Sequence, residues 1–524
     1  MKKRLISFIL TLTMLLSIAI VLPVSTAAVD VWDGSSSSAF EGEGTMYSPY
    51  IIRNAQNLKS LQEQVAAGNN FAGKYIVLAN DIDLGAHEWT PIGSRGTDKT
   101  SFSGVFDGNG FTIKGLSITS YTQYSGLFGV VAAVDAYDAV IANLIVEGSI
   151  VFDESDNFSG GLFLGGISSW TESAKKEDRV IITDCVSKVD ITINKPTTGT
   201  QDPYIGGVVG RVGYADFIDC AYEGNIDIDF GGSTKILRAG GVVGANYNGT
   251  YLNCVNKGTI SVYQNSADKY LDYIGGVMGL SATAASGFIT TMTNCANFGE
   301  VTAENAVGKR VRVGGIIGSF YSNNTTIENC YNMGTVTGKM GESTTDYAYV
   351  GGITGHFDKD GAMCSVIIRN SYNSGTIYSI GGKGDRAGGI VGVGYTYTTS
   401  TAPSTVENCQ TTTEKYISYG PGVAVNCTAN ISTETFNALI APIDLAISTG
   451  NDYDISANIA TLGAEISITT AFRGSARLVA GSTGLRFTTE IKNSFVVSYP
   501  TFSSLTLNTS KSTISDLNVN LYFY

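Results

Sequence analysis

The 524-residue sequence has few prolines, few charged side chains and only two histidines. Proline occurs 9 times and charged residues make up 15% of the chain, whereas glycine occurs 63 times. Abundant glycine with little proline is typical of bends in ordered structure and not of a disordered tract. The two histidines leave little material for a histidine-based metal site or a catalytic triad. The composition therefore predicts a folded chain without such a centre.

Outside the N-terminus the chain also lacks an apolar run long enough to span a bilayer. Basic residues at 2–4 precede an apolar run at 5–22, and Ala27 and Ala28 follow. This order predicts a secretory signal peptide over 1–28, with a retained membrane anchor as the alternative. The formal net charge of -13 repels nucleic acid and anionic membranes. We expect a secreted or cell-surface protein with no nucleic-acid partner and no membrane span in the mature chain.

The rest of the chain divides into five predicted segments. They are a linker at 29–44, an N-terminal cap with the first coils at 45–120, repeats at 121–430, a connector at 431–465 and a short C-terminal β segment at 466–524. In the cap, apolar residues share one face at helical spacing, which predicts a helix over Ala55–Ala67. Asn54 can cap the start of this helix and Gly68 can end it.

Two short patterns alternate through the repeats. The first is Gly-Gly-x-x-Gly, in which both x residues are usually apolar. It occurs at Gly206, Gly207 and Gly210, at Gly240, Gly241 and Gly244, at Gly275, Gly276 and Gly279, at Gly314, Gly315 and Gly318, and again from Gly351 and Gly388. The second is Asn/Asp-Cys-x-Asn-x-Gly, as at Cys254, Cys295 and Cys330, with Ser371 in the cysteine position of one copy.

Between these patterns, β-branched and aromatic residues alternate with polar ones over about five residues, which predicts short strands with glycine at the corners. One such unit cannot bury its own apolar face, so successive units must stack over a continuous core. The predicted fold is therefore all-β: a right-handed parallel β-solenoid with a helix-containing N-terminal cap and a small C-terminal β segment. Loops of variable length, such as 264–269 and 341–347, are expected to project from one side.

The alternating patterns, together with Asn80–Leu84, Trp89–Gly93 and Phe106–Gly110, resemble the GLUG-motif repeat proteins. The resemblance covers residues 45 to about 430. It implies an exported bacterial β-helical module, as in the non-catalytic part of some immunoglobulin A peptidases. A second likeness, at Gly474–Leu478 and Gly484–Phe487, is to the start of a small β domain at the C-terminus of such proteins.

Seven of the eight cysteines follow Asn or Asp directly, most of them in clear repeats: Cys185, Cys220, Cys254, Cys295, Cys330, Cys409 and Cys427. One cysteine per coil is typical of a small buried core position, and Ser371 at the same position fits packing. Disulfides between coils are the alternative, although parallel Cβ directions disfavour their geometry. The neighbouring Asn can satisfy corner backbone groups and adopt the left-handed conformation, and stacked amides can form a ladder.

The sequence offers few candidates for chemistry, and we predict no catalytic, cofactor-binding or metal-binding residue. The histidines are His87 and His356, and neither belongs to a His-Glu-x-x-His pattern or lies near a nucleophile elbow. The carboxylates that could cleave a polysaccharide or hold calcium are Asp81, Asp83, Asp107, Asp227 and Asp229. A turn explains Asp107, and Asp81 and Asp83 belong to the cap pattern.

Three functions remain open. The favoured one is an extracellular binding or adhesion module that contacts a glycan or a protein through its variable loops. A structural spacer is the second, and a polysaccharide-active β-helix enzyme is the third. An exposed aromatic stripe favours binding, a bland polar surface favours the spacer, and acids that converge in a groove favour the enzyme.

Overall fold

The fold is known from a computed structural model, which describes most of the chain between residues 32 and 449. The described ranges are 32–37, 40–95, 100–134, 137–153, 161–173, 178–194, 202–231, 233, 235–265, 272–282, 288–321, 324–343, 345–357, 365–394, 404–419 and 423–449, with short strands beyond. The predicted signal peptide lies outside the described residues. Where the structure describes the chain, no helix is long and apolar enough to cross a membrane.

The turns of the chain contribute strands to four parallel sheets, which we call faces 1 to 4 in the order followed by one turn that starts at Tyr124. Face 1 contains Tyr124–Ser125, Phe163–Gly165, Tyr204–Gly206, Arg238–Gly240, Asp272–Gly275, Val311–Gly314, Ala348–Gly351 and Ala387–Gly388. Face 2 contains Phe128–Ala133, Ser168–Ser173, Val209–Val212, Val243–Asn246, Met278–Ala282, Ile317–Tyr321, Thr354–Phe357, Val391–Val393 and Ile417–Tyr419.

Faces 3 and 4 follow and extend into the cap. Face 3 contains Tyr50–Ile52, Tyr75–Leu78, Val105–Asp107, Ala139–Ala142, Val180–Thr183, Ala215–Ile218, Gly249–Leu252, Ile289–Thr293, Asn324–Glu328, Val366–Arg369, Thr405–Glu407 and Val423–Val425. Face 4 contains Ile82–Asp83, Thr112–Ile118, Ile145–Phe152, Val186–Asn194, Ala221–Tyr222, Ile226–Asp229, Val255–Asn256, Ile260–Gln264, Ala296–Asn297, Val301–Asn305, Tyr331–Asn332, Val336–Met340, Tyr372–Asn373, Ile377–Ile380 and Gln410–Thr411. Each strand pairs in parallel with its equivalent in the next turn, so the predicted parallel β-solenoid is confirmed.

The Asn-Cys pattern forms the corner between faces 3 and 4. Its asparagine or aspartate has positive φ in every turn from Asn143 to Asn426, for example +54° at Asn253. Asn tolerates this left-handed conformation because its short side chain bonds locally. At this corner Nδ2 of Asn253 donates to Asp219 Oδ1 at 2.7 Å, and Nδ2 of Asn294 donates to Asn253 Oδ1 at 3.1 Å. The amide ladder expected from the sequence is therefore present here.

The cysteine that follows this residue points into the core. Cys254, Cys295 and Cys330 are fully buried, and the backbone amide of Cys295 donates to Sγ of Cys330 at 3.4 Å. The amide of Cys330 donates in turn to Oγ of Ser371 at 3.2 Å. All seven described cysteines are free thiols, and Cys427 is the one that is half-buried. We call these stacked residues the cysteine column; its position can be occupied by either a thiol or a hydroxyl side chain.

A second asparagine ladder, which the sequence analysis did not predict, runs through the interior. Asn256, Asn297, Asn332 and Asn373 are fully buried. Each Nδ2 in the first three donates to Oδ1 of the next asparagine at 2.7 to 2.8 Å, and also to the carbonyl of the glycine two residues on. Buried amides need such full pairing, since an unsatisfied one costs about 1–3 kcal/mol.

The Gly-Gly pattern forms the corner between faces 1 and 2 and packs against this interior ladder. A Cβ at Gly315, the second glycine of its pair, would overlap the side-chain amide of Asn332 and the carbonyl oxygen of Gly352. The equivalent Gly276 meets Asn297 in the same way. The second glycine of the Gly-Gly pattern therefore packs against the second asparagine of the Asn-Cys-x-Asn pattern, because the absence of a side chain leaves room for the amide.

The N-terminal end is closed by helix α1, Ala55–Ala66, within one residue of the prediction. Asn54 caps it by accepting a hydrogen bond from the amide of Asn57 at 2.9 Å, and Gly68 follows its end with φ of +98°. The apolar face of α1 is fully buried against the first turns. Such a cap removes the open strand edge that would otherwise template aggregation.

The segment predicted as a connector contains a second helix, α2, Thr433–Thr449. Phe436, Ile440 and Ile443 of α2 pack against the outer surface of face 4, beside Tyr331. The hydroxyl of Tyr331 is hydrogen-bonded to Asp444, and burial raises the pKa of this tyrosine. Within the predicted C-terminal β segment, Thr489–Glu490 pairs with Asn518–Val519 and Val497–Tyr499 pairs with Phe502–Leu505, both antiparallel.

Candidate functional site

The outer surfaces of faces 1 and 2 converge on each other and form a groove. On face 1, Ile205 and its equivalents enter the core, so the residue before each of them points outward. The ring centroids of Phe163 on face 1 and Trp170 on face 2 are 4.8 Å apart, and those of Tyr349 and His356 are 4.9 Å apart. Outward side chains meet across a corner only where the surface is concave.

One register position of face 1 supplies a column of aromatic and arginine side chains along the groove. The strand pairing aligns Tyr124, Phe163, Tyr204, Arg238, Tyr273, Arg312 and Tyr349, and Arg386 continues the line. We call this set the groove column. From Tyr204 onward, tyrosine and arginine alternate at every turn.

The members of the groove column stack along the solenoid axis. Phe163 lies 5.3 Å from Tyr124 and 5.2 Å from Tyr204 between ring centroids, with interplanar angles of 18° and 8°. The guanidinium of Arg238 lies 4.7 Å from the centroid of Tyr204. That of Arg312 lies 5.2 Å from Tyr273. These contacts combine ring stacking with cation–π attraction.

Face 2 forms the opposite wall of the groove. Arg95 and Arg211 both lie over the ring of Trp170, at 4.4 and 3.9 Å from its centroid. Arg211 also approaches the ring of Tyr247 at 4.5 Å. The hydroxyls of Tyr204 and Tyr247 join the two walls with a 3.1 Å hydrogen bond. Trp170 is only 5% exposed, while Arg211, Tyr204 and Tyr247 are half-buried and form the accessible rim.

Several groove cations are matched by carboxylates and two are not. Ion pairs join Arg95 to Glu172 at 3.4 Å, Arg238 to Asp202 at 3.1 Å and Arg310 to Asp346 at 2.9 Å. In the described part of the chain, Arg211 and Arg386 form ring contacts but no ion pair. The groove therefore carries positive charge in a protein whose net charge is -13.

Buried donors in the groove lack partners. Nε1 of Trp170, Nε of Arg238 and Nε of Arg310 are inaccessible to solvent and make no hydrogen bond to any described residue. Burial without a partner is uncommon in native proteins and points to strain, a bound water or a ligand. Three such donors along one groove mark it as the candidate site.

Burial keeps one tyrosine and one histidine of the groove neutral. Burial raises the pKa of Tyr204 to about 12. Burial, followed by the charges of Arg312 and Arg310, lowers the pKa of His356 well below its usual value. Nδ1 of His356 accepts a hydrogen bond from Nε of Arg312 at 3.1 Å. His356 thus serves as a neutral acceptor that orients the arginine.

The carboxylates considered for catalysis do not converge. Asp107 accepts hydrogen bonds at the corner from the amide of Asn109 and from Asn143, and Asp81 accepts one from the amide of Thr112. Asp83 pairs with Lys114 at 3.2 Å in the cap. Asp227 and Asp229 lie on face 4, where Asp229 accepts from the amide of Gly231.

None of these acids is part of the groove. Among the described residues, no three His, Cys, Asp or Glu side chains are grouped to hold a metal ion. Of the histidines, His87 contacts Trp32 in the cap at 5.7 Å between ring centroids. The repeat glycines and cysteines likewise lie at corners and in the core and not on the groove surface.

The groove column was not predicted from the sequence, although the sequence contains a signal for it. Each member lies two residues before the Gly-Gly or single glycine that starts its corner, as in Tyr204-Ile205-Gly206-Gly207 and Arg238-Ala239-Gly240-Gly241. Aligning the repeats on their glycines would have shown an aromatic residue or arginine at this position in every turn. The concave corner that brings faces 1 and 2 together could not be read from that alignment.

This chain has limited similarity to known proteins, in sequence and in structure. No protein-family profile matches the chain. A protein of Evansella cellulosilytica, provisionally named a Gly-rich membrane protein, is 33% identical over 125 residues, which are 22% of this chain and 13% of the relative. This chain thus spans far less than two thirds of that relative's length.

A solved structure, provisionally named an immunoglobulin A1 protease of Bacteroides ovatus, superposes with a TM-score of 0.35. The two chains are 19% identical, and the superposition covers 76% of this chain and 89% of that one. A TM-score this low supports no conclusion about fold or function. The β-solenoid therefore rests on the strand pairing of this chain.

Proposed function

We propose that this chain is the binding module of a secreted or cell-surface protein and that the groove between faces 1 and 2 is its binding surface. The groove column carries the proposal, because it places aromatic and arginine side chains at one outward position through successive turns. Regular solenoid positions are otherwise taken by core and corners. Tyr and Arg are also among the residues most enriched at binding hot spots.

Two features of the sequence support a location outside the cell or at its surface. The predicted signal peptide over 1–28 and the likeness to GLUG-motif proteins both favour an exported module. The Evansella relative, provisionally named a membrane protein, is compatible with a place at the cell surface. Ligands of such a module are glycans or proteins met outside the cell.

The variable loops begin and end at strand termini on either side of the groove. The chain passes from face 4 to face 1 and from face 2 to face 3 through these loops, whereas the Gly-Gly corner forms the floor between faces 1 and 2. Loops at the rim can therefore add specificity to the common surface of the groove.

The test is a glycan and matrix-protein binding array probed with the mature chain and two variants. Tyr247→Ala removes a half-buried rim side chain, and Tyr378→Ala removes a tyrosine that is 50% exposed on face 4. Binding that Tyr247→Ala weakens and Tyr378→Ala leaves unchanged supports the proposal. Equal weakening by both variants, or no binding at all, contradicts it and favours the spacer.

The enzyme alternative is tested on the same samples. If the groove only binds, incubation with any bound polysaccharide releases no new reducing ends. Turnover that Asp227→Asn abolishes would place the protein among polysaccharide-active enzymes. The positions of Asp227 and Asp229 on face 4, away from the groove, favour the first outcome.

A further inference from the structure

We infer that the ligand of the groove is a carboxylate-bearing polysaccharide whose chain runs along the solenoid axis. This inference rests on the proposed function, because it names the ligand class of the same groove. It follows from four properties of the groove: the exposed parts of its aromatic rings, its charge, the spacing of its groups along the axis and the burial of its apolar side chains.

The stacked rings leave their edges, and not their faces, free for a ligand. Tyr124, Phe163 and Tyr204 cover one another face to face, and arginines cover both Trp170 and Tyr247. Ring edges carry the positive end of the aromatic quadrupole. Flat stacking of a neutral sugar on the covered ring faces is therefore blocked, whereas an anionic or hydroxyl-rich ligand can contact the edges and the phenol hydroxyls.

The charge of the groove favours an anion. Arg211 and Arg386 are half-buried and form no ion pair with a described residue. Arg238 lies beneath the surface, where Asp202 pairs with it at 3.1 Å. A guanidinium fork binds a carboxylate through two parallel hydrogen bonds. Nε of Arg238 and Nε1 of Trp170 supply further unpaired donors.

The groove groups repeat regularly along the axis. Neighbouring strands of a parallel sheet lie about 4.8 Å apart, so Arg211 and Arg386, which are five turns apart, lie about 24 Å from each other along the axis. A few sugar units of an extended 1,4-linked chain span a comparable length. A polymer with one carboxylate in each unit can therefore reach both arginines at once, and the second contact raises the affinity.

A polypeptide ligand fits less well. Protein interfaces depend on apolar or aromatic anchors that enter open pockets. Here Phe163 and Trp170 are 3% and 5% exposed, so the apolar residues of the groove are already covered by their neighbours. The accessible rim consists of hydroxyls and guanidinium groups, which match a ligand made of carboxylates and hydroxyls.

The experiment measures binding of the mature chain to three polymers: polygalacturonate, the same polymer with its carboxyls methyl-esterified, and poly-L-glutamate. The variants are Arg211→Gln, Arg386→Gln and both together. Arg369→Gln is the matched control, because Arg369 is an exposed arginine paired with Glu328 on face 3. Circular dichroism and melting temperature show whether each variant is folded.

We expect polygalacturonate to bind, with affinity that falls steeply as salt is added, and its esterified form to bind at least about tenfold more weakly. Each groove variant should weaken binding several-fold, the pair more than either alone, and Arg369→Gln not at all. Oligomers too short to reach from Arg211 to Arg386 should bind more weakly than the polymer, and each single variant should leave their binding at the other arginine unchanged.

Other outcomes overturn the inference. Equal binding of the two galacturonate polymers removes the role of the carboxylates, and equal binding of poly-L-glutamate points to an acidic polypeptide ligand. Equal loss with Arg369→Gln shows a diffuse charge effect, and no binding of polygalacturonate refutes the ligand class. In the last case, binding of another ligand that Tyr247→Ala weakens would leave the proposed function standing.

Discussion

Successive turns contribute an asparagine to the interior ladder and an arginine or tyrosine to the groove column, and the two positions behave differently. From Asn256 to Asn373 the interior position is asparagine in four successive turns, each bonded to the next. Over the same turns the groove position alternates between arginine and tyrosine. The interior position requires an amide that bonds to both of its neighbours, whereas the groove position accepts arginine and tyrosine in turn.

The comparison therefore separates positions that hold the turns together from positions that are free to select a ligand. Changes to the interior should lower stability strongly and similarly in every turn. Changes to the groove should mainly alter binding. The following predictions test this separation, beginning with the largest expected effect.

The largest effect should come from the floor of the corner. Gly315→Ala places a Cβ against the amide of Asn332 and the carbonyl of Gly352, so the backbone must shift. We expect a loss of about 3 kcal/mol or more in the free energy of unfolding, measured with denaturant. Gly384→Ala is the control, because its Cβ would meet only Tyr347 at an ordinary 3.7 Å. Similar losses in both variants would refute the packing explanation.

Removing an asparagine from the interior ladder should lower the free energy of unfolding slightly less than Gly315→Ala does. Asn332→Ala leaves Nδ2 of Asn297 and Oδ1 of Asn373 without their partner, a loss of about 2–4 kcal/mol. Asn329 at the outer corner is the comparison. Asn329→Gly should lower the free energy of unfolding by less than about 1 kcal/mol, since Gly accepts the φ of +53° at this position.

A double-mutant cycle sharpens this prediction. If Gly315 is required because of the asparagine beside it, Gly315→Ala should cost less in the Asn332→Ala background than alone. Strict additivity of the two losses would show that the glycine and the asparagine act independently.

At the outer corner a substitution should stabilise the protein. Asp184 occupies the position that is asparagine in later turns, and burial raises its pKa to about 6. Since the folded pKa lies above the unfolded one, Asp184 lowers stability as pH rises through 6. Asp184→Asn should add about 1–3 kcal/mol at pH 7–8, and the gain should disappear below about pH 4. Melting curves across pH measure this, and a gain that persists at low pH would contradict it.

The smallest effect should come from the cysteine column. Cys330→Ser reproduces the residue already present at Ser371, whose Oγ accepts from the amide of Cys330. We expect a loss of about 1 kcal/mol or less. Adding reductant to the native protein should not change its melting temperature, because the described cysteines are free thiols. A large drop on reduction would show disulfides instead.

The fold could be predicted because its signals are local. The helix of the cap was visible from its apolar face, Asn54 and Gly68, and the corners from glycine and Asn-Cys at regular intervals. Helix α2 was missed because its Pro442, which lies inside the helix, is normally read as a helix breaker. Packing of Phe436, Ile440 and Ile443 against face 4 offsets that penalty, and such packing is not visible in the sequence.

The sequence by itself determined that the chain is a stack of similar β turns, since backbone preferences and apolar alternation act between near neighbours. Only the tertiary structure decided that Asn332 bonds to Asn373, that Gly315 leaves room for Asn332, and that Tyr204 and Trp170 face one groove. These contacts join residues one turn apart or on different sheets. Their partners depend on the register of the turns and on the concave corner, which exist only once the solenoid has folded.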